Sequence, residues 1–365
     1  MSSHLLHTAC HDWHTAHGGR MVDFAGWDMP VQYTSIVAEH HAVRTAAGLF
    51  DIAHMGRLKF TGPDAVRFLD HLLTNDVAGL APGQIRYALV TNAQGGILDD
   101  VLVYRFHEFH LLVVNASNRL KILDWIARHQ GAFQVTVEDL TQSQFMLALQ
   151  GPRALELLQP LVDVPLASLR YYFGTQATVC GEPALVSRTG YTGEDGCEVI
   201  VPAGAGRSLW EQLIERGAPL GLLPAGLGCR DTLRLEAAMP LYGHELNEAI
   251  DPFTAGLAFG VKFDAKEFIG KPALLGIKSG SLRRRRVGLE LAGKRIAREG
   301  ATVLADGTPV GEVTSGTFSP TLQKSIAMAY VDVPNATVGG RLEVDIRGAR
   351  EAASVVKLPF YKRGE

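Results

Sequence analysis

The chain has 365 residues, of which 47% are hydrophobic and 20% charged, and its formal net charge is −3. This composition fits a globular protein of two or three domains and gives no overall attraction to nucleic acid or a membrane surface. The sequence contains no apolar run of transmembrane length and no N-terminal targeting pattern, so we expect a cytoplasmic protein. Its four cysteines lie far apart, which predicts free thiols rather than a zinc site.

The N-terminal segment repeats histidine at spacings of three and four residues: His4, His7, His11, His14 and His17. That spacing stacks side chains on one helical face, where imidazoles could hold a metal ion. No cluster of cysteines or carboxylates accompanies them, so a solvated helical face is the favoured prediction. Residues 20–33 are rich in aromatic and turn residues without a clean period, which predicts irregular backbone packed against another domain or lining a pocket.

Helical and strand-like patterns then alternate. The predicted helices lie near 36–46, 64–73, 120–128 and 153–161, and the predicted strands near 57–61, 85–91, 110–114, 145–149 and 199–202. This order lacks the regular crossover spacing of a doubly wound sheet and favours an α+β fold. Gly204-Ala205-Gly206 has Leu209 in place of the third glycine of a dinucleotide fingerprint, so we predict a loop and a helix start there.

Two adjacent aspartates, Asp99 and Asp100, follow the Gly95-Gly96 turn within an apolar run. Neighbouring side chains of a strand point to opposite faces, so the two cannot do the same job. One is expected to face solvent or cap the turn, and parity puts Asp100 on the face of Leu98 and Leu102. A carboxylate on that face needs a partner or a function. The alternative is that both aspartates belong to a turn.

The composition changes after residue 281. Short alternating segments near 287–291, 312–315, 326–330 and 342–346 are separated by glycine turns, which predicts a small β-barrel or sandwich. A basic cluster opens this region, comprising Arg283, Arg284, Arg285, Arg286, Lys294, Arg295 and Arg298. Two interpretations stay open for the cluster: a solvated domain linker, or a docking face for an acidic partner.

Several stretches together resemble one family. They are DFAGWDMPVQY (23–33), FDIAHM (50–55), GGILDD (95–100), LQGP (149–152), RTGYTGEDG (188–196), RDTLRLE (230–236), TSGTFSP (314–320) and LPF (358–360). Over nearly its whole length the chain resembles the T proteins of the glycine cleavage system, which are tetrahydrofolate-dependent aminomethyltransferases. The resemblance implies three domains in a cloverleaf around a central folate pocket. These are a split α+β domain (1–50 and 140–280), a ferredoxin-like α+β domain (51–139) and the C-terminal barrel (281–365).

The resemblance also implies the chemistry. The one-carbon unit of the aminomethyl-dihydrolipoyl arm of H protein passes to tetrahydrofolate, giving 5,10-methylenetetrahydrofolate, ammonia and dihydrolipoyl H protein. Tetrahydrofolate is a co-substrate, and neither metal nor flavin is expected. The partners implied are lipoylated H protein and the folate, without nucleic acid or membrane.

Residues are assigned through the same resemblance. Asp100 matches the active aspartate, Glu198 the carboxylate that reads the pterin edge, and Arg230 a ligand-contacting arginine. An outward strand position is the alternative for Glu198, and an ion pair with Asp231 or Glu236 is the alternative for Arg230. The softer candidates for the folate pocket are Tyr87, Asn115, Met55, Tyr191 and Tyr242.

Two related classes are disfavoured. Dimethylglycine and sarcosine oxidases fuse this architecture to a flavin-binding region, and no dinucleotide fingerprint precedes the match here. A folate-binding iron–sulfur assembly factor would carry a lysine-glycine-cysteine signature. The corresponding residues here are Asp195-Gly196-Cys197, and we expect Cys197 to be a half-buried strand residue rather than a reactive thiol.

Overall fold

The computed structural model describes residues 5–264 and 266–364. His4, the first histidine of the N-terminal series, lies outside the described residues. By its internal contacts the chain divides into two compact units. The first unit comprises residues up to 69, 77–87 and 101–231, and the second comprises 70–76, 88–100 and the residues from 232 onward. The division into three domains remains a prediction.

The helices are α1 (His11–Ala16), α2 (Ile36–Thr45), α3 (Ala65–Leu72), α4 (Arg119–Gln130), α5 (Ala154–Leu158), α6 (Ala203–Gly217), α7 (Leu227–Glu236) and α8 (Lys271–Ser279). The first strands are β1 (Arg20–Phe24), β2 (Trp27–Gln32), β3 (Ala47–Asp51), β4 (Gly56–Thr61), β5 (Ile85–Thr91), β6 (Ile97–Arg105), β7 (His110–Val114), β8 (Thr136–Asp139) and β9 (Gln144–Gln150). The remaining strands are β10 (Gly174–Val179), β11 (Glu182–Ser187), β12 (Gly196–Pro202), β13 (Leu222–Pro224), β14 (Arg284–Leu291), β15 (Thr302–Ala305), β16 (Thr308–Ser319), β17 (Lys324–Asp332), β18 (Arg341–Ile346) and β19 (Ala349–Val356).

A six-stranded sheet of the first unit has the order β10-β11-β12-β9-β3-β13. Strand β9 is a continuous apolar run that is buried along almost its whole length, which is the pattern of a strand covered on both faces. Helix α6 packs against it. A Cβ on Gly206 would come within 2.5 Å of the Phe145 ring. The helix start predicted at 204–206 is confirmed, but the loop is wrong, because these residues lie in the first turn of α6, where glycine permits the close approach.

A five-stranded sheet has the order β5-β6-β7-β4-β8. The predicted strands at 85–91 and 110–114 are confirmed with the same bounds. Asp99 and Asp100 both lie within β6, so the alternative that places them in a turn is wrong.

A closed barrel of the second unit has the order β14-β17-β16-β15-β18-β19, with β19 pairing back to β14. Alternate residues of β14, Val287, Leu289 and Leu291, are buried in its core. Gly288 leaves room for Leu358 and Phe360, because a Cβ there would come within 2.5 Å of Leu358. The predicted α+β fold with a C-terminal barrel is confirmed.

Two N-terminal expectations are wrong in part. The backbone of residues 20–32 is not irregular but forms an antiparallel hairpin, β1 with β2, with one register shift between Arg20 and Met21 and a tight turn at Ala25 and Gly26, which both take positive φ. The pocket-wall part of the expectation agrees with the structure, since Trp27 lines a cavity. The histidine series does not share one helical face, since α1 begins only at His11. His14 is fully buried.

The linker interpretation of the basic cluster is also wrong for part of its length, because Arg284, Arg285 and Arg286 are the first residues of β14. Among residues 5–264 and 266–364, none of the helices combines the length and hydrophobicity needed to cross a membrane.

Candidate functional site

The turn before β6 is stabilised by the side chain of Asn92, one of its own residues. Asn92 Oδ1 accepts hydrogen bonds from the amides of Gln94 at 3.0 Å and Gly96 at 2.9 Å. Gly96 has no room for a side chain, because a Cβ there would lie 1.8 Å from the Glu248 carbonyl oxygen. The Asn92 side chain therefore makes the turn's amide contacts, and close packing accounts for the second glycine.

The two aspartates of β6 lie in different environments. Asp99 is fully buried, so the expectation that it could face solvent is wrong. Asp100 is half-buried, and strand alternation places it on the face of Leu98, Leu102 and Tyr104. The parity argument for Asp100 therefore agrees with the strand. Its catalytic role remains a prediction.

Glu198 lies on β12 in the first unit and is 7% exposed, so the outward strand position considered for it is wrong. The Thr189 hydroxyl donates a hydrogen bond to Glu198 Oε2. Burial raises the pKa of Glu198 above its usual value, and Thr189 and the charge of Arg230 only partly oppose that shift. The carboxyl group is thus buried with less compensation than an ionised form requires.

Arg230 lies on α7, with its guanidinium 4.7 Å from the centre of the Tyr191 ring. Burial lowers the pKa of Arg230, and the charge of Glu198 opposes that effect. Within the described part of the chain neither Arg230 nor Glu198 forms an ion pair shorter than 4.0 Å. The arginine faces an acid and an aromatic ring with its donors still available.

Sequence reasoning missed Tyr104 and Thr189 in this group. The buried Tyr104 hydroxyl makes no hydrogen bond of good geometry within the described residues, although it lies close enough to Glu198 for their charges to interact. Burial raises the pKa of Tyr104, so the hydroxyl stays a donor. Parity could have found it, since residues 100, 102 and 104 share one strand face.

The loop after β3 is also part of this region. Burial, with Arg230 as the second cause, lowers the pKa of His54 to about 3, so the imidazole is neutral. Its Nδ1 is buried without a hydrogen-bond partner among the described residues. The guanidinium of Arg57 stabilises this loop by donating hydrogen bonds to the carbonyl oxygens of Ala53 at 3.1 Å and Met55 at 2.6 Å.

A buried polar chain secures the start of the same loop. Asp51 accepts hydrogen bonds from Thr8 at 2.6 Å and from the Ala53 amide at 2.9 Å, and His14 Nε2 lies 2.9 Å from it. The Tyr33 hydroxyl lies 2.8 Å from His14 Nδ1. Burial alone would raise the pKa of Asp51, but the bonds from His14 and Thr8 lower it below the usual value. These residues orient the 52–55 loop.

The softer candidates are distributed over the chain. Met55, Tyr87, Asn115 and Tyr191 belong to the first unit and Tyr242 to the second, and all five are half-buried. Tyr191 is the one that packs on Arg230. A cavity of about 250 Å³ opens elsewhere in the first unit, beside Leu6, Trp27 and Gln144, and none of the predicted site residues lines it.

All four cysteines are free, as their spacing predicted. Cys197 is 1% exposed rather than half-buried, and burial raises its pKa to about 12. A thiol with that pKa is a poor nucleophile or metal ligand at neutral pH.

Comparison with known proteins accounts for most of the chain. A family model described as "GCVT N-terminal domain" matches residues 10–265, and one described as "Glycine cleavage T-protein C-terminal barrel domain" matches residues 284–362. A protein named aminomethyltransferase from Caldanaerobacter subterraneus subsp. tengcongensis is 47% identical, over 98% of this chain and 96% of its own length. One with the same name from Streptomyces avermitilis is 48% identical over 98% of each chain.

A solved structure agrees. The crystal structure of glycine cleavage system aminomethyltransferase T from Bartonella henselae superposes with a TM-score of 0.92 at 34% identity, over 98% of this chain and 99% of that one. The two family models and these relatives together cover nearly the whole chain. The chain belongs to the glycine cleavage T-protein family.

Proposed function

We propose that this chain is the aminomethyltransferase of a glycine cleavage system, with Asp100 as its acid–base group and Glu198 and Arg230 as the anchor for tetrahydrofolate. Membership of the family makes the chain an aminomethyltransferase. The observation that carries the residue assignment is the incomplete polar group around Glu198. The group consists of a buried carboxyl with a raised pKa, an arginine without an ion-pair partner among the described residues, and a tyrosine hydroxyl without a hydrogen bond of good geometry.

The reaction moves one carbon from the aminomethyl-dihydrolipoyl arm to two nitrogens of tetrahydrofolate. The aminomethyl carbon on the dihydrolipoyl sulfur loses its bonds to sulfur and to nitrogen and gains two bonds to the nitrogens of tetrahydrofolate. The two protons released from those folate nitrogens end on the dihydrolipoyl sulfur and on the departing ammonia, so an aminomethyl ammonium leaves as ammonium. Atoms and charge balance without an oxidant or a metal.

Asp100 is suited to the proton steps. A half-buried carboxylate can take a proton from the aminomethyl ammonium and stabilise positive charge that develops on the migrating carbon. Its position on β6 is fixed by the strand and by the close-packed Gly96 turn. Strand alternation gives it the same face as Tyr104, which neighbours Glu198.

Glu198 is suited to the pterin edge. Two adjacent N–H donors of a pterin can bind side by side to one carboxylate, and such a charged pair of hydrogen bonds would compensate the burial of Glu198. Arg230, held over the Tyr191 ring, has donors for a carbonyl or carboxylate oxygen. Met55, Tyr87, Asn115 and Tyr242 complete the proposed folate contacts.

The proposed partner is lipoylated H protein, an acidic carrier that we expect to dock on the basic cluster. Arg283, Arg285, Lys294, Arg295 and Arg298 of that cluster are exposed. Arg284 lies 3.3 Å from Asp332, and Arg286 is half-buried and donates to the Ala238 carbonyl oxygen. Arg284 is exposed but paired with Asp332, so the proposed docking face is limited to the other five exposed cations. We also propose a cytoplasmic location, with which the four free thiols agree.

The test is to assay 5,10-methylenetetrahydrofolate formation by the purified chain from aminomethylated H protein and tetrahydrofolate. Asp100→Asn should lower turnover by ~10²-fold or more, because it removes a positioned proton-transfer group. Folate affinity, measured by calorimetry, should be nearly kept. A wild-type chain that forms no product with this H protein would contradict the proposed function.

Asp99→Asn is the matched variant. Asp99 is fully buried on the opposite strand face, so we expect this change to lower stability and to leave turnover per folded enzyme within a few-fold of wild type. If the two variants lost turnover equally, the assignment of the acid–base role to Asp100 would be wrong.

A further inference from the structure

Three potential metal ligands meet near the N-terminus, outside the proposed folate site. His7, His11 and Asp28 each offer one ligand atom, and these atoms all lie within 4.8 Å of one another. His11 Nε2 is 2.8 Å from Asp28 Oδ2. The rings of His7 and His11 stack with their centres 3.6 Å apart. Asp28 comes from β2, which the hairpin brings beside the histidines.

The backbone holds this group together. Leu6 forms a bridge with Trp27: the Leu6 amide donates to the Gly26 carbonyl oxygen at 2.8 Å, and the Asp28 amide donates to the Leu6 carbonyl oxygen at 2.9 Å. His7 and Asp28 thus stand on two paired segments. The His11 amide donates to the Thr8 carbonyl oxygen at 3.2 Å, which fixes the start of α1 against the same bridge.

The surroundings of the three side chains also suit a ligand set. Asp12 Oδ1 lies 3.3 Å from His11 Nδ1, so both ring nitrogens of His11 lie beside carboxylate oxygens. A carboxylate on the second nitrogen of a ligating histidine is a common outer contact in metal sites, since it orients the ring. The side chains of His11 and Asp28 are 14% and 22% exposed, and His7 is exposed, so an ion can enter from solvent.

We infer that His7, His11 and Asp28 form a binding site for a divalent transition-metal ion of the Zn²⁺ type. Two imidazoles and one carboxylate match the donor preference of zinc and leave coordination positions for water. Ligand bonds of about 2.0–2.1 Å put tetrahedral ligand atoms about 3.3 Å apart. Reaching that geometry requires His7 to turn out of the stack, which its exposed ring can do. The ion would join the N-terminal segment to the β1–β2 hairpin.

The experiment uses the full-length, untagged chain after treatment with a chelator, titrated with Zn²⁺ by calorimetry. We expect one ion per chain, with His7→Ala and Asp28→Asn each weakening binding by ~10- to 100-fold or more. His107→Ala, which removes an exposed histidine from the loop after β6, is the matched control and should bind as wild type does. Co²⁺ in place of Zn²⁺ should give a visible absorption band for wild type that His7→Ala lacks.

Three results would overturn the inference. They are no Zn²⁺ uptake by wild type at roughly 100 μM ion, which fills a site of micromolar affinity; wild-type affinity in either ligand variant; or an equal loss in His107→Ala. His7 is exposed and its replacement should not disturb folding, so that variant stays informative if Asp28→Asn proves unstable. Methylenetetrahydrofolate formation is a separate readout and does not decide this question.

Discussion

Helix α7 carries two arginines one turn apart, Arg230 and Arg234, and each faces a buried glutamate. Arg234 forms a 2.8 Å ion pair with Glu245, which also accepts hydrogen bonds from the Thr314 hydroxyl at 2.6 Å and the Leu241 amide at 3.0 Å. Burial would raise the pKa of Glu245, but Arg234 and these donors lower it. Arg230 and Glu198 form no such ion pair in the described chain, and the pKa of Glu198 is raised.

The two arginine–glutamate groups therefore differ in how fully the protein's own side chains satisfy them. In the Arg234–Glu245 pair the two charges neutralise each other, and the remaining polar atoms hydrogen-bond to protein groups, so we call this pair complete. Its bonds to Thr314 and Ser315 join α7 to the barrel strands of the second unit. The Glu198–Arg230 group is incomplete, and a ligand with N–H donors on one side and an acceptor oxygen on another would complete it. The residue types alone do not distinguish these two cases, but the shift of the glutamate pKa does: it is raised for Glu198 and lowered for Glu245.

The largest expected effect concerns the complete pair. Glu245→Gln leaves the Arg234 charge buried without its partner, which should lower the free energy of unfolding by about 3–5 kcal/mol. Urea unfolding measures the loss. Glu198→Gln is the matched variant and should change stability far less, since no ion pair is broken. Equal losses of unfolding free energy in both variants would show that both groups serve mainly to stabilise the fold.

The incomplete group should respond in ligand binding instead. Glu198→Ala removes a charged acceptor from the proposed pterin edge, and we expect roughly 2–4 kcal/mol less folate binding free energy. Calorimetry with tetrahydrofolate measures this, with Glu182→Ala on the neighbouring strand as an exposed control. Unchanged folate affinity in Glu198→Ala would remove this residue from the site.

The sequence predicted some of this arrangement and missed the rest for physical reasons. Strand parity placed Asp100 correctly, because alternation depends only on the local backbone. It failed for Asp99, since burial of the opposite face depends on what packs there. Asp51 and His14 are 37 residues apart in sequence, and no local pattern reveals their 2.9 Å contact. The hairpin at 20–33 was missed because its turn uses Ala25 at positive φ, where glycine or asparagine is usual.

A pH series tests whether His54 is buried in its neutral form, as the lowered pKa caused first by burial and then by the charge of Arg230 indicates. His54 has a pKa of about 3 in the folded chain and an ordinary value of 6.5, so below pH 6.5 the unfolded chain binds the extra proton and stability falls. The contribution is about 1.4 kcal/mol per pH unit, or about 2 kcal/mol from pH 6.5 to 5. Glu39 and Glu198 have raised pKa values and act in the opposite direction, so the comparison is between wild type and His54→Gln. The variant should lose less unfolding free energy than wild type between pH 6.5 and 5. Parallel curves of stability against pH would contradict the lowered pKa of His54.

The smallest expected effect belongs to the exposed cations, which are screened by salt more strongly than Arg230 and Arg234. Reversing two charges, Arg295→Glu with Arg298→Glu, should raise the apparent KM for H protein by about 3–10-fold at low ionic strength, because such a face acts through steering. The effect should shrink as salt is added, while folate affinity stays unchanged. Arg341→Glu with Arg347→Glu reverses two exposed charges elsewhere on the barrel and serves as the control. A wild-type KM in the first variant, or an equal rise in the control, would place the H-protein contact outside the basic cluster.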